Sequence, residues 1–358
     1  MADSPTSDPI VSRRWPAEWE PHEATLVAWP VARHTWPGLF DRIPRAFARL
    51  VHAIADAEPV VVLVSNDAAR RQAEQWVGCH QRVTLLPIPV NDSWIRDYGP
   101  VAVWEQDQLI IVDFRFDAWG RKYSPWEEDD AVTEKLGRHW DLPVERIDAV
   151  LEGGALEGNG ARCAVATSRS VWSRTPTLDP PDAARQYEQL LRRHLGIEHL
   201  CWLHHGGLVG DDTDGHIDQL ARFVARDRMV VASAEDPTDA NREPLRRMRA
   251  ELEAWFKRHD LAIELVDLPI PRDVTYQGER LPASYCNFLM VDGAVLVPVF
   301  GDRMDEWAMG ILADLLPDRE IVPIPCRELV WGLGAVHCLT QTLPRRPPSL
   351  ERSASSTR

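Results

Sequence analysis

Short β-rich runs and amphipathic helical stretches alternate along this chain with a period of about 60 residues. Helical spacing is clearest at Leu39, Ile43, Phe47, Leu50 and Ile54, where steps of three and four put five apolar side chains on one face. Further helices are expected at 129–140, 181–195, 243–258 and 303–316. The helix at 181–195 has start signals in Asp179 and Pro180 and a stop at Gly196, and Leu245, Met248, Leu252 and Trp255 form the stripe of the one after it. Between them lie candidate strands at 24–29, 60–64, 83–87, 101–105, 109–114, 163–167, 199–203, 217–224, 228–233, 262–267, 284–291, 294–299 and 320–324. A strand, strand, helix order repeated about five times predicts a radially repeated α/β architecture. A doubly wound parallel sheet competes, but it needs a long crossover between every pair of strands and a glycine-rich first turn. Neither GxGxxG nor GxxxxGK followed by Ser or Thr occurs.

Composition narrows the partners. With 44% hydrophobic and 27% charged residues over 358 positions, the chain is globular, and a formal net charge of −15 repels phosphate backbones and anionic lipid. Neither nucleic acid nor a membrane is expected as a partner, and a small cation is. No apolar run approaches the ~18 to 20 residues of a membrane span, and Met1 to Arg14 lacks a signal-peptide core, so a cytoplasmic protein is expected. Residues 1–12 and 344–358 read as disordered ends around a single catalytic domain at 13–343. A homodimer or higher homo-oligomer stays open. The six cysteines, Cys79, Cys163, Cys201, Cys286, Cys326 and Cys338, show no CxxC spacing, which leaves free thiols and the question of whether one is a nucleophile.

Four stretches could carry chemistry. In His204 to Asp218, a metal reading would gather His204, His205, Asp211, Asp212, Asp214 and His216, whereas a bland reading makes the Asp211–Asp214 run a solvated acidic loop. An EF-hand fails, because with Gly215 as its turn glycine the first ligand position is Gly210 and the last is Ala221. His216 and Asp218 are two apart at an expected strand start and so share a face. Asn91 to Pro100 places Asp92, Trp94, Arg96 and Asp97 between two strands, and can equally be a polar turn with a satisfied Arg96–Asp97 pair. Leu151-Glu152-Gly153-Gly154 is a lone carboxylate ahead of two glycines. Trp331 to Gln341 delivers Cys338 through a glycine-rich approach; cysteines are more often inert core, but one thiol, one histidine and several carboxylates spread over separate repeats are what attack on a cationic carbon requires.

Taken together, Trp15 to Glu23, Asp92-Ser93-Trp94-Ile95-Arg96-Asp97, Leu151 to Gly154, Thr213-Asp214-Gly215-His216-Ile217-Asp218, Ala283 to Phe288 and His337-Cys338-Leu339-Thr340-Gln341 resemble the agmatine deiminase and bacterial-type peptidylarginine deiminase family over roughly 15 to 345. The resemblance implies a five-bladed, pseudo-symmetric α/β propeller of ββαβ-type repeats, no cofactor and no catalytic metal. It implies Cys338 as nucleophile, His216 as general acid and base, Glu152 as the carboxylate that orients the histidine, Asp97 and Asp218 as the pair gripping a guanidinium, and Trp94 as a wall of that pocket. The implied reaction is hydrolytic deimination of a small guanidino compound, agmatine first and peptidyl-arginine as the alternative.

The chain departs from the family pattern at Leu333 in place of a glycine, Ala335 in place of an asparagine and Asp214 in place of an asparagine. These changes bear on which guanidino compound is bound. A metal-dependent hydrolase and a non-catalytic guanidine-binding module are the other classes. Cys163, Cys286 and His337 lie near motifs and read as packing residues.

Overall fold

The computed structural model describes residues 13–345. Among them the strands form five sheets of three or four strands and a two-stranded ribbon. The sheets share one order: an antiparallel pair, then a parallel strand reached through a helix. Val101–Glu105 and Gln108–Arg115 pair antiparallel, and Val144–Val150 joins in parallel after the helix Val132–Trp140, with Arg13–Arg14 on the far edge. Leu156–Gly158, Cys163–Thr167 and His199–Leu203 repeat the order around the helix Pro180–Leu195. Ala221–Ala225, Arg228–Ser233 and Glu264–Pro269 do so around Arg242–Arg258, and Leu289–Val291, Ala294–Val299 and Glu320–Pro325 around Met304–Leu315. In the remaining sheet, Thr340–Pro344 pairs antiparallel with His22–Ala28, and Val60–Leu63 and Val83–Leu86 follow in parallel through the helices Ile43–Ala57 and Asp67–Val77. The chain is an α/β protein built on a recurring unit.

Local chemistry explains the elements. Asp179 caps Pro180–Leu195 by accepting from the Asp182 N–H, and Pro180 and Pro181 fill the first turn, where a missing N–H costs nothing. Each crossover helix buries its apolar stripe on its sheet, at roughly 1.5–3 kcal/mol for each large side chain taken out of water. In Arg242–Arg258 that stripe is Leu245, Met248, Leu252 and Phe256; the expected Trp255 is only half-buried. One core cluster joins Leu26, Phe47, Leu50, Val62, Phe223, Val231, Phe288 and Leu296, and a second joins Val103, Val112, Ile147, Tyr187 and Leu191.

Several boundaries differ from expectation. The helix Asp67–Val77 and the strands Val144–Val150, Leu156–Gly158 and Thr340–Pro344 were not anticipated. Of 284–291 only Leu289–Val291 is strand, and 217–224 begins with a 3-10 turn at Ile217–Gln219 before the strand starts at Ala221. His216 therefore stands at the start of the turn and Asp218 lies within it, instead of the two alternating along a strand. Pro344 closes the last strand and the Arg345 N–H donates to the Pro21 carbonyl at 2.8 Å, so order runs past 343. The ends read as disordered, 1–12 and the part of 344–358 beyond Arg345, lie outside the described residues. No described helix is long and apolar enough to cross a membrane.

The recurrence has a consequence for position. Asp97, Glu152, Asp218, Asn287 and Cys338 each stand two to four residues ahead of the first strand of the antiparallel pair in a different sheet. All five are buried.

Candidate active site

The backbone of Gly154 is the point on which three of these side chains close. A Cβ on Gly154 would lie 2.7 Å from Asp97 Oδ1, 2.8 Å from His216 Nδ1 and 3.1 Å from Asp218 Oδ2. Only a residue without a side chain lets an aspartate, a histidine and a second aspartate approach so closely. Asp97, in the single helical turn Ile95–Tyr98, is held through both oxygens: Oδ1 accepts from the Gly154 N–H at 3.0 Å and Oδ2 from Trp119 Nε1 at 2.9 Å. Asp218 Oδ2 faces His337 Nδ1 at 2.8 Å and Cys338 Sγ at 3.4 Å.

His216 lies between two carboxylates, with Nδ1 3.6 Å from Asp97 Oδ1 and Nε2 3.8 Å from Glu152 Oε2. Glu152 is anchored from behind by Arg174, whose Nε donates to Oε1 at 2.6 Å while its Nη1 reaches Asp214 Oδ2 at 2.7 Å. The chain from Cys338 through Asp218, Asp97 and His216 to Glu152 and Arg174 is contiguous. Both nitrogens of His216, Glu152 Oε2 and Asp218 Oδ1 are buried with no hydrogen-bond partner among the described residues. An unsatisfied buried polar atom costs about 1–3 kcal/mol, so this cluster marks a place where the fold holds polar groups toward a ligand.

The electrostatics follow. Burial works against charge on His216, but the carboxylates of Asp97 and Glu152 outweigh it and hold the imidazole up to about 9. Burial raises Asp97 to about 6; His216 opposes, while Asp218 and Glu152 add to the rise. Glu152 stays below the ordinary carboxylate range despite burial, through His216 and Arg174, and Asp218 stays low despite burial through His337 and His216. Burial, then the negative charges of Asp218 and Asp97, push the Cys338 thiol well up. A cation placed among these groups relieves the repulsion that keeps the thiol neutral.

Beside the cluster opens a cavity of about 250 Å³, lined in part by Asp92, Trp94, Asp97, Trp119, Asp212, Leu333 and Cys338. Trp94 is its buried wall, 5.5 Å from Trp36 between ring centroids. Gly334 is pressed between Trp94 and Cys338: a Cβ there would meet Trp94 Cζ3 at 2.5 Å and Cys338 Cβ at 3.0 Å. No Lys or Arg is among the described residues that line this cavity, whereas Asp92 and Asp212 are.

All six residues expected at the site, Cys338, His216, Glu152, Asp97, Asp218 and Trp94, lie within this assembly. The six side chains of the metal reading do not converge. His204 bonds Ser168, His205 bonds Glu251, Asp211 caps Thr213 and Gly215, Asp212 meets Tyr123, Asp214 pairs with Lys122 and Arg174, and His216 faces Asp97 and Glu152. Among the described residues no three His, Cys, Asp or Glu side chains are grouped so that they could hold a metal ion.

His337, read as packing, is instead a polar bridge between Asp218 and Glu18, the latter at 2.8 Å from Nε2; Glu18 in turn binds Arg96 and Arg222. Arg96 thus pairs with Glu18 rather than with Asp97. Cys163 and Cys286 are buried with thiols raised to about 12 by burial, as packing residues should be. Trp119, Arg174 and Asn287 were missed. Trp119 is delivered by a left-handed run, φ 55° at Ala118 and 58° at Trp119, that no periodicity announces. Arg174 follows Trp172 in an unremarked loop. Asn287 stood inside a motif without a role.

Known proteins share this design. The family model for Porphyromonas-type peptidyl-arginine deiminase matches residues 14–344. An agmatine deiminase of Stutzerimonas stutzeri (strain A1501) is 32% identical over 363 residues, covering 92% of this chain and 95% of the relative. Among solved structures, a serine-for-cysteine variant of C. jejuni agmatine deiminase with substrate bound superimposes with a TM-score of 0.85 at 28% identity, covering 93% and 97% of the two chains. Agmatine deiminase of Enterococcus faecalis gives 0.84 at 28%, covering 94% and 97%. An amidinotransferase from Microseira wollei, 11% identical at a TM-score of 0.53 over 93% and 97% of the chains, shares the fold alone. The family match over residues 14–344, with a relative 32% identical over 92% of the chain, establishes that this chain belongs to the Porphyromonas-type peptidyl-arginine deiminase family, alongside the agmatine deiminases.

Proposed function

We propose that this protein hydrolyses agmatine to N-carbamoylputrescine and ammonia, with Cys338 as nucleophile. The observation that carries the reading is one buried thiol set beside two opposed aspartates, with His216 between Asp97 and Glu152, at a cavity whose described lining holds acids and no Lys or Arg. A guanidinium is planar and delocalised, so carboxylates on both sides fix its plane by charge-assisted hydrogen bonds and hold its carbon against sulfur. Asp97 and Asp218 do this, and Trp94 walls the cation. Free arginine carries an α-carboxylate that the acids Asp92 and Asp212 repel; agmatine carries no carboxylate, and its second cation suits them.

The substrate cation offsets the negative surroundings of Cys338 and favours the thiolate, the thiol proton passing to solvent. Its sulfur forms the C–S bond and gives a neutral tetrahedral adduct. His216 donates its proton to the departing nitrogen, the C–N pair leaves with ammonia, and a cationic amidino-thioether remains on Cys338. His216, now neutral, takes a proton from water; the hydroxide adds to carbon, and collapse breaks the C–S bond, returns the thiolate and releases the last proton. One guanidinium and one water become one ureido group and one ammonium ion.

In the same reading the five sheets are five blades of an α/β propeller around this centre, residues 13–343 are one catalytic domain, and the protein is cytoplasmic. Their support is the common strand order and the buried polar or thiol side chain that each sheet places two to four residues ahead of its first strand.

The test is ammonia release and product mass from wild type and Cys338→Ala with agmatine, free arginine and a blocked peptidyl-arginine. Turnover of agmatine alone, lost in the variant, is expected. Turnover of the blocked peptide in preference would move the assignment to peptidyl-arginine, the substrate named for the family, and turnover surviving in Cys338→Ala would overturn the thiol mechanism.

A further inference from the structure

Two loops of the cavity wall are fastened to each other through one lysine. The first, Asp117 to Tyr123, supplies Trp119 and Tyr123 to the cavity lining, and the Trp119 indole holds Asp97 Oδ2. The second, Asp211 to Gly215, leads into His216. Lys122 Nζ donates to Asp214 Oδ2 at 2.8 Å and, in a short contact, to the Asp212 carbonyl, while the Tyr123 hydroxyl meets Asp212 Oδ2. Asp214 Oδ2 is shared with Arg174 Nη1 at 2.7 Å, and that guanidinium anchors Glu152 through Nε at 2.6 Å. Contacts thus run from Asp97 through the first loop, Asp214 and Arg174 to Glu152. The first loop is strained: Ala118, Trp119, Gly120 and Arg121 have φ of 55°, 58°, 83° and 65°, a left-handed turn unfavourable to all but the glycine. Such a turn persists only where contacts over-determine it. Among the described residues, the side-chain hydrogen bonds that tie it to other segments are those of Trp119, Lys122 and Tyr123. Asp214 is itself left-handed at φ 67°, which an asparagine also adopts, so the backbone there does not call for a charge. Partial burial raises its carboxyl, but Lys122 and Arg174 outweigh that and hold it below the ordinary carboxylate value.

We infer that Lys122 is a positioning residue for the guanidinium site, a clasp that holds the Trp119 loop against the histidine loop through Asp214 and thereby keeps Asp97 in place. The inference rests on Asp97 gripping the guanidinium. With the clasp made, Asp97 and the Glu152–His216 pair are braced against one another although they come from different segments. Without it the strained turn relaxes, Trp119 moves off Asp97 Oδ2, and that oxygen loses its side-chain donor.

Lys122→Met keeps the aliphatic stem and loses the charge and the donors; Lys122→Arg restores both. The grip on the guanidinium is made in the bound state as well as in the transition state. Lys122→Met is therefore expected to raise KM for agmatine about tenfold or more while kcat falls by no more than a few fold, and Lys122→Arg to bring KM back to within about threefold of wild type. Asp214→Asn, which keeps one acceptor, is expected to move KM the same way by less. Cleavage after Arg121 by an arginine-specific protease, located by mass spectrometry, reads the loop directly. It is expected to run about tenfold or more faster in Lys122→Met and near the wild-type rate in Lys122→Arg. Cleavage of Lys122→Met at the wild-type rate would mean that the loop holds without Lys122, and faster cleavage with KM unchanged that Asp97 holds without the loop; either overturns the inference. Faster cleavage in Lys122→Met, with wild type inactive on every guanidine offered, would sink the deiminase reading and leave the clasp standing.

Discussion

Asp218 Oδ2 lies 2.8 Å from His337 Nδ1, on the side away from the cavity, while the other ring nitrogen rests 2.8 Å from Glu18 Oε2. The imidazole is a rigid spacer that sets how far Asp218 protrudes toward Cys338 and a substrate. His337→Gln keeps polarity but cannot span both carboxylates at once. A displacement near 1 Å at a reacting centre can cost about 10²-fold, so kcat/KM for agmatine is expected to fall by that order with the fold retained. Steady-state kinetics alongside circular dichroism check it; unchanged kcat/KM would remove His337 from the positioning of Asp218.

Gly154→Ala puts one methyl group into the contact among Asp97, His216 and Asp218. Those side chains carry the guanidinium and the proton, so all three must shift together. A loss of about 10²-fold or more in kcat/KM is expected, with Tm moving by only a few degrees, because the site's own unsatisfied groups are strained rather than the core. Wild-type activity in Gly154→Ala would mean that the three groups need not meet at that point.

The pH dependence follows from two raised groups. Asp97 must be ionised to bind a guanidinium and is held up to about 6. Below that value kcat/KM for agmatine is expected to fall about tenfold per unit. The stability sign is set by His216, raised from 6.5 to about 9: its contribution is complete below 6.5 and is lost as pH climbs through about 9. Asp97 acts in the same sense at lower pH, its contribution complete below 3.8 and lost as pH rises through about 6. Substrate-free enzyme should therefore melt at progressively lower temperature as pH rises toward 9, and His216→Phe should flatten the upper part of that curve. A Tm that rises between neutral pH and 9 in wild type would contradict the charged imidazole.

What the sequence disclosed and what it hid have physical reasons. The helix Ile43–Ala57 announces itself because Phe47, Leu50 and Ile54 are large and apolar; Asp67–Val77 does not, because its buried face is Ala69, Ala73 and Val77, and alanine spacing makes little contrast. Val144–Val150 alternates charged and apolar residues over a parallel edge, with only Ile147 and Ala149 well buried. Cys338, His216 and Glu152 could be picked out because the motifs that hold them, taken together and in order, resemble a known deiminase family; singly, a lone carboxylate ahead of Gly153 and Gly154 is a weak signal. Trp119, Arg174 and His337 act through contacts between segments far apart in sequence, and nothing local in their neighbourhoods predicts a partner 22, 22 or 119 positions away. Asp214, a departure in sequence, finds its explanation only in space: it pairs with Arg174 and Lys122, supplying a second carboxylate to the guanidinium that anchors Glu152.

Leu333 is the departure with a consequence for specificity. Its φ of 73° is left-handed, a conformation that costs a leucine about 1–2 kcal/mol relative to glycine, and its residue lines the cavity beside Gly332, Gly334 and Trp331. Strain of this kind persists where the surrounding structure fixes it, and here the strained residue shares the cavity lining with Trp94. Leu333→Gly relieves the backbone and opens the wall. Agmatine turnover is expected to stay within a few fold of wild type, since the thiol, the aspartates and His216 are untouched, while kcat/KM for blocked peptidyl-arginine rises about tenfold or more. Competition between the two substrates, followed by product mass, measures the ratio directly. A ratio unchanged by the substitution would place the discrimination with the acids Asp92 and Asp212 instead of with the width of the cavity.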